Sequence, residues 1–371
     1  MAILKLEGIE KKVLRKRILQ DISIEVKEQS FTAILGPVGA GKTTLLKIIA
    51  GTTKSSKGRV FLRGKDITNL PPQKRKVAMV FQAFSLYPNL TVYENMASPL
   101  RAARKPEREI REKVKKQAEI LGIGSLLNKH PYELSGGESQ RVAIGRALVK
   151  EASVYLFDEP LTNLDYKLRE SMSRELKDIL TAKGFERTIL YATPNYEEAL
   201  SMSNETVLLQ NGRVIWSGPT LESYLTPPCI AFAKNFPSPP MNLFECRLVE
   251  EADKLYLSAS EEIKLNVTHP KDLFHENGYI LGFQPHALHI EKKDKEMIPV
   301  TFHLTFVDIT PSGTVLHLEH EGKEVSGFLP HPQDFKEKII RLFVYPHDFF
   351  IFSKQNGELI TRYRSTNNGK N

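Results

Sequence analysis

Eight consecutive residues, Gly36-Pro37-Val38-Gly39-Ala40-Gly41-Lys42-Thr43, offer this chain its clearest chemistry. They satisfy G-x-x-x-x-G-K-[ST] at every fixed position, the pattern of a loop that cradles phosphate oxygens. The glycines permit a tight turn with successive N–H groups exposed at a helix start, where the helix dipole favours an anion. Lys42 then reaches the β- and γ-phosphates of a nucleotide, and the Thr43 hydroxyl can ligate Mg²⁺. Two carboxylates, Asp158 and Glu159, close the apolar run Val154-Tyr155-Leu156-Phe157. Asp158 suits holding Mg²⁺ through water, and Glu159 suits polarising an attacking water as a general base. Between the loop and this pair stands Leu134-Ser135-Gly136-Gly137-Glu138. There Ser135 is a natural N-cap for a helix running through Gln140 to Val149. That helix start is a second anion site, too far along the chain to belong to the first loop.

Such groups act only if rigid elements hold them. Ile34 and Leu35 end an apolar strand and Thr44 to Ile49 continue as a helix, so the loop joins the two. The run before Asp158 reads as a buried strand, which places both carboxylates at its C-terminal end, beside the nucleotide. Val77 to Phe81 is another strand, leading to Gln82. Strands and a helix alternate up to about residue 85, residues 86–150 read as mostly helical, and strand-helix-strand order returns over 151–215. Tyr87-Pro88-Asn89 and His130-Pro131 punctuate the helical stretch. The order predicts an α/β phosphate-loop NTPase core carrying a helical subdomain.

With 371 residues there is room for two domains. The net charge of +8 is uneven: residues 1–235 carry 37 Lys+Arg against 25 Asp+Glu, and residues 236–371 carry 15 against 19. That split, with Phe236-Pro237-Ser238-Pro239-Pro240, predicts domains over 1–235 and 236–371. After Pro240 short strands with frequent turns follow, including Arg247–Leu257, Tyr279–Phe283, Val300–Asp308, Thr314–Leu318 and Ile339–Val344. They predict a small all-β barrel or sandwich. Positive charge concentrates in Lys11–Arg17 and Arg101–Lys116. The second run pairs Glu with Lys or Arg at helical spacing, so it reads as a solvated helix with a mild attraction to an anionic membrane surface. No aromatic-basic module accompanies the charge, which argues against a nucleic-acid partner. There is no apolar run near the ~20 residues needed to span a bilayer and no secretory signal after Met1. Cys229 and Cys246 stand alone, as expected in a reducing compartment. His286 with His289, and His317 with His320, are spaced so that a strand would point each pair to opposite faces, which suits surface or core histidines better than metal ligands.

The phosphate loop, LSGGE and Asp158-Glu159, in that order, resemble the ATP-binding cassette (ABC) ATPases. The resemblance implies a RecA-like core that binds ATP and Mg²⁺, with Thr44 joining residues 36–43 around the phosphates. It implies that Ser135, Gly136 and Gly137 contact the γ-phosphate held by the opposite subunit, so that ATP is sandwiched between two chains. Gln82 matches the family glutamine that touches Mg²⁺ and water and senses the membrane partner. Leu161-Thr162-Asn163-Leu164-Asp165 matches the loop that crosses the dimer interface.

Two positions depart from the family pattern. A histidine that holds the γ-phosphate and catalytic water belongs where Thr193-Pro194-Asn195 stands, and Pro194 occupies its place. Proline has neither a side-chain hydrogen-bonding group nor a backbone N–H. Of the ten histidines only His130 precedes residue 269, so a shifted alignment supplies no substitute; Thr193 and Asn195 are the nearest polar groups. Upstream of the loop the family stacks an aromatic ring on adenine. Residues 9–20, IEKKVLRKRILQ, contain none, leaving Val13 or Leu14 for an apolar contact. Both departures fall on the site built from this chain's own loop, whereas LSGGE is intact.

Ser238-Pro239-Pro240-Met241-Asn242, Leu281 to Leu288 and Thr310-Pro311-Ser312-Gly313 resemble regulatory-domain landmarks of maltose-type carbohydrate-importer ATPases, whose tail is a small OB-like domain. That resemblance implies a peripheral subunit on the cytoplasmic face of the membrane. Its partners would be a second ATPase subunit (a copy of itself or a different chain), two transmembrane permease subunits and, indirectly, an extracytoplasmic solute-binding protein. Residues from about Gln82 to Asn95 would receive a helix from the permease. Importers of polyamines or inorganic anions carry similar ATPases, and Pro194 leaves open a nucleotide-gated subunit that scarcely hydrolyses.

Overall fold

The structure is a computed structural model that describes residues 2–81, 85–162, 166–181, 187–236, 239–252, 254–267, 278–310 and 313–363, without the side chains of 166–168, 170 and 181. It divides into two compact units, Met1–Leu221 and Glu222–Asn371.

The first unit begins with two long strands, β1 (Ala2–Val13) and β2 (Lys16–Lys27), whose alternating buried residues face one core. Then come β3 (Phe31–Leu35), α1 (Lys42–Ala50), β4 (Lys57–Leu62), β5 (Lys65–Asp66) and β6 (Val77–Val80). Three helices follow, α2 (Val92–Ala102), α3 (Glu107–Ile120) and α4 (Gly136–Leu148). The chain then returns through β7 (Val154–Asp158), α5 (Tyr166–Thr181), β8 (Thr188–Thr193), α6 (Tyr196–Met202), β9 (Glu205–Gln210) and β10 (Arg213–Pro219).

Two sheets result. One is antiparallel, in the order β2-β1-β4-β5; the other runs β10-β9-β3-β8-β7-β6 and is parallel except for the edge strand β10. β3, β7 and β8 are buried at every residue, as expected for parallel strands covered on both faces. One core packs Leu4, Leu6 and Ile22 of the antiparallel sheet with Leu45 and Ile49 of α1 and Ile34, Leu156 and Leu190 of the parallel sheet. A second core holds α2, α3 and α4 through Met96, Val114 and Ile144 against Val80 and Phe157. The helical stretch read from the sequence is thus three helices, with α4 beginning one residue after Ser135.

In the second unit all sheet pairing is antiparallel, in one sheet of six strands and one of four. Phe244, Leu281, Phe302, Leu316 and Leu342 contribute to its core. Strands Tyr279–Phe283 and Ile339–Val344 have the boundaries read from the sequence. Arg247–Leu257 is not one strand but the two arms of a hairpin, Asn242–Glu251 and Lys254–Ser258. Its tight turn includes Ala252 at φ 48, where no glycine announces the reversal. Ala233 of the helix Ile230–Asn235 packs with Met241, Phe350 and Phe352, which places that helix inside the second unit. His317 is exposed and His320 buried, as their spacing on a strand requires; His320 bonds the Thr301 carbonyl at 2.9 Å and Ser260 Oγ at 2.8 Å. Among the described residues no helix is long and apolar enough to cross a membrane.

Candidate functional site

The phosphate loop leaves β3 at Gly36, where any Cβ would lie 2.1 Å from the Leu209 carbonyl oxygen of β9. Only glycine passes that point. Gly39 and Gly41 take φ of 84° and 105°, a region L side chains rarely enter. Pro37, Val38 and Gly39 are exposed, Ala40 is buried, and Gly212 N donates to the Ala40 carbonyl at 3.1 Å. Helix α1 has Gly41 as N-cap and no side-chain cap, whereas α2 and α4 are each closed by a capping box, Thr91 with Glu94 and Ser135 with Glu138. The first-turn N–H groups of a helix have no intrahelical acceptor, so at α1 they are left for a ligand.

Lys42 is buried at the base of this loop. Its Nζ donates to the carbonyls of Gly36 (2.7 Å) and Pro37 (3.0 Å) and lies 3.0 Å from Glu159 Oε1. Thr43 Oγ1 donates to Asp158 Oδ1 at 2.8 Å. Burial pushes the Asp158 carboxyl above the usual carboxylate range; the Thr43 hydrogen bond opposes this and the neighbouring Glu159 charge adds to it. Glu159 has φ 46°, an uncommon left-handed conformation of the kind found at functional sites. Its N–H donates to Ala192 of β8 at 3.0 Å, and its Oε2 accepts from Thr162 Oγ1 at 3.3 Å. The structure therefore brings Lys42, Thr43, Asp158 and Glu159 into one contiguous cluster.

A cleft of about 540 Å³ opens over the cluster, bounded on one side by Gly39, Gly41 to Thr44 and Glu159. Its other wall is Lys16, Arg17, Ile18, Gln20, Asn211 and Gly212. Among the described residues no aromatic ring lines it. Val13 is half exposed and Leu14 99% exposed, and neither reaches the cleft; the apolar contact is Ile18 instead. The sequence reading passed over Asn211-Gly212, although this pair, at φ 50° and 72°, is the turn signal between β9 and β10. No local pattern tells that the turn folds against the phosphate loop.

Ser135 and Gly136 are exposed, and none of Ser135, Gly136 and Gly137 lines the cleft. Ser135 Oγ accepts from Glu138 N at 3.3 Å and Glu138 returns the bond to Ser135 N at 2.7 Å. A Cβ on Gly136 would meet nothing within 4 Å. Gln82 and Asp165 lie outside the described residues.

Pro194 is exposed at the end of β8, between two polar residues already committed. Thr193 Oγ1 donates to Glu198 Oε2 at 2.7 Å and accepts from Asn195 N at 3.0 Å. Asn195 Oδ1 caps α6, accepting from Glu197 N at 2.7 Å and Glu198 N at 3.3 Å. Buried Glu198 also accepts from Tyr191 Oη at 3.0 Å, and burial raises its carboxyl above the usual range.

The ABC transporter family matches residues 19–162. The chain is 34% identical over 326 residues to the sn-glycerol-3-phosphate import ATP-binding protein UgpC of Pectobacterium atrosepticum, covering 88% of this chain and 90% of that protein. It is 36% identical over 298 residues to the oligosaccharides import ATP-binding protein MsmX of Bacillus subtilis, covering 78% and 80%. Among solved structures, the ATP-binding cassette MJ0796, a dimer in a post-hydrolysis state bound to ADP and Pi, superposes with a TM-score of 0.52. The identity is 28%, over 58% of this chain and 98% of that one.

Proposed function

Since this chain belongs to the ABC transporter family and is an ABC-type importer ATPase, we propose that it drives uptake of a carbohydrate or related solute from the cytoplasmic face of a membrane. The observation that carries the nucleotide chemistry is the uncapped start of α1 beside buried Lys42, with Asp158 and Glu159 on the adjacent strand end. First-turn N–H groups and one mobile cation suit a polyphosphate. Thr43 Oγ1 and Asp158 Oδ1 are hard oxygen donors side by side, the small protein share that Mg²⁺ takes while keeping its waters. A buried carboxylate also gains from a neighbouring cation. Mg²⁺, when bound, neutralises charge on the phosphate oxygens. Lys42 leaves its loop carbonyls to contact those oxygens, and Glu159, released from Lys42, accepts a proton from water at its carboxylate. Gln82 completes the set of water-orienting groups.

Exposed Gly136 supports a working dimer. The fold does not demand glycine there, whereas close approach by a second molecule to the start of α4 does. Ser135, Gly136 and Gly137 then close the partner's nucleotide site, and the family resemblance assigns Asp165 a role at the same interface. Pro194 favours a second feature: this chain's own site hydrolyses slowly and works beside a different ATPase chain with a complete site. Two permease subunits, and a solute-binding protein acting through them, complete the assembly. The relatives' named solutes differ from each other, and importers of polyamines or inorganic anions remain the alternative solute class. Purification of the tagged chain from detergent-solubilised membranes tests the reading. Two integral-membrane subunits and an ATPase chain should co-elute; recovery only as a species bound to ribosomes or DNA overturns it.

A further inference from the structure

We propose that Arg17 holds the nucleobase by laying its guanidinium plane against the ring, so that the cleft takes nucleoside triphosphates with little regard to the base. The inference rests on the reading of this cleft as the nucleotide site. β2 runs directly past the start of α1: a Cβ on Gly41 would lie 2.7 Å from Leu19 Cδ2 and 3.1 Å from the Ile18 carbonyl. With phosphates on the loop, the sugar and base must extend along the remaining wall, which among the described residues contains no ring to stack on.

Only some of that wall is free to respond. The Gln20 amide is committed, donating to the Asn211 carbonyl at 3.0 Å and accepting from Arg213 at 3.2 Å. The side chains of Lys16 and Arg17 have no hydrogen-bond or ion-pair partner among the described residues. Arg17 sits opposite Lys12 in the β1–β2 register, and no carboxylate occurs between Glu10 and Asp21. Like charges directly opposite on a ladder are unfavourable. The hairpin therefore carries an unneutralised positive face into the cleft, and a π-electron face is a ligand surface that relieves it. Of the two free cations only arginine is planar, and guanidinium stacks where an ammonium does not. Every base has a π-face, so recognition by stacking alone discriminates weakly among them.

The test is calorimetric titration of the full chain with ATP, GTP and inorganic tripolyphosphate, for wild type and for Arg17→Ala, Arg17→Lys and Arg17→Tyr. Arg17→Ala should weaken ATP and GTP about two- to thirty-fold, the range of one cation–π contact, and leave tripolyphosphate unchanged. Arg17→Tyr should restore nucleotide affinity and Arg17→Lys should not. Equal losses for tripolyphosphate and nucleotides, rescued by lysine, would reduce Arg17 to long-range attraction and overturn the proposal; so would unchanged ATP affinity in Arg17→Ala. Wild-type protein that binds neither ATP nor tripolyphosphate would instead refute the nucleotide-site reading beneath it.

Discussion

Replacing Lys42 by alanine separates the ion pair that its ammonium makes in the structure from the phosphate contact proposed for it. Its Nζ is 3.0 Å from Glu159 Oε1, with the two side chains 2% and 10% exposed, so the pair is essentially buried. Removing one partner of a buried ion pair strands the other charge and costs ~3–5 kcal/mol. In a unit of this size that lowers the melting temperature by on the order of 10 °C. On the proposed function the same ammonium contacts phosphate by charge-assisted hydrogen bonds, each worth ~1.5–3 kcal/mol, so ATP affinity should fall at least ~10-fold. Adding Glu159→Gln removes the stranded charge. The double variant should therefore regain most of the lost stability and none of the ATP affinity. Thermal denaturation and calorimetric titration, on the two single variants and the double, measure both quantities. Undiminished ATP affinity in Lys42→Ala, or joint recovery of stability and affinity in the double variant, would contradict this division of roles.

Glu198 gives a pH prediction of definite sign. Its carboxyl is raised by burial, with Thr193 and Tyr191 donating to it and the charges of Arg169 and Glu159 acting from nearby. A raised folded-state value means that the contribution of Glu198 is fully present below its ordinary value near 4.5 and is lost as pH rises through the folded value. Glu198→Gln should be neutral or stabilising at pH 8, with the difference from wild type becoming more unfavourable to the variant as pH falls toward 4.5; a constant difference across this window contradicts the assignment. The loop glycines should also separate. Gly36→Ala drives a Cβ into the Leu209 carbonyl and should destabilise by ~3 kcal/mol or more. Gly39→Ala meets nothing within 4 Å and should cost only the ~1–2 kcal/mol of left-handed backbone. Equal losses in thermal denaturation would count against this geometry.

The first unit was legible because its chemistry is local. A phosphate loop needs a strand, three glycines and a helix within a short stretch, and β3, Gly36 to Thr43 and α1 supply them consecutively. Ser135 and Glu138 announce α4 by a capping box that a single pattern detects. What escaped the sequence depends on contacts between distant segments. Gln20 meets Asn211 across the cleft wall, and Ile18, not Val13 or Leu14, is its apolar residue because the β1–β2 pairing, with several register irregularities, decides which side chains turn inward. The hairpin at Ala252 escaped for a different reason: its turn lies within an alternating run and lacks the glycine that usually marks one. Thr193 and Asn195 are the polar groups nearest the place of the missing histidine, but the structure commits Thr193 to Glu198 and Asn195 to capping α6.

On the proposed function, this chain supplies an intact signature segment to its partner while its own hydrolytic site is handicapped at Pro194. The direct measurement is ATP turnover by the purified chain alone, as wild type and as Pro194→His. Pro194 is exposed, so an imidazole enters without a clash, and the bonds of Thr193 Oγ1 and Asn195 Oδ1 do not involve it. A positioned general catalytic group contributes ~10²–10⁴ in rate. The expected result is slow turnover by the wild-type chain and a gain of at least ~10-fold in Pro194→His, the lower bound allowing for imperfect placement. Fast turnover by the wild-type chain, abolished by Glu159→Gln and unmoved by Pro194→His, would contradict it.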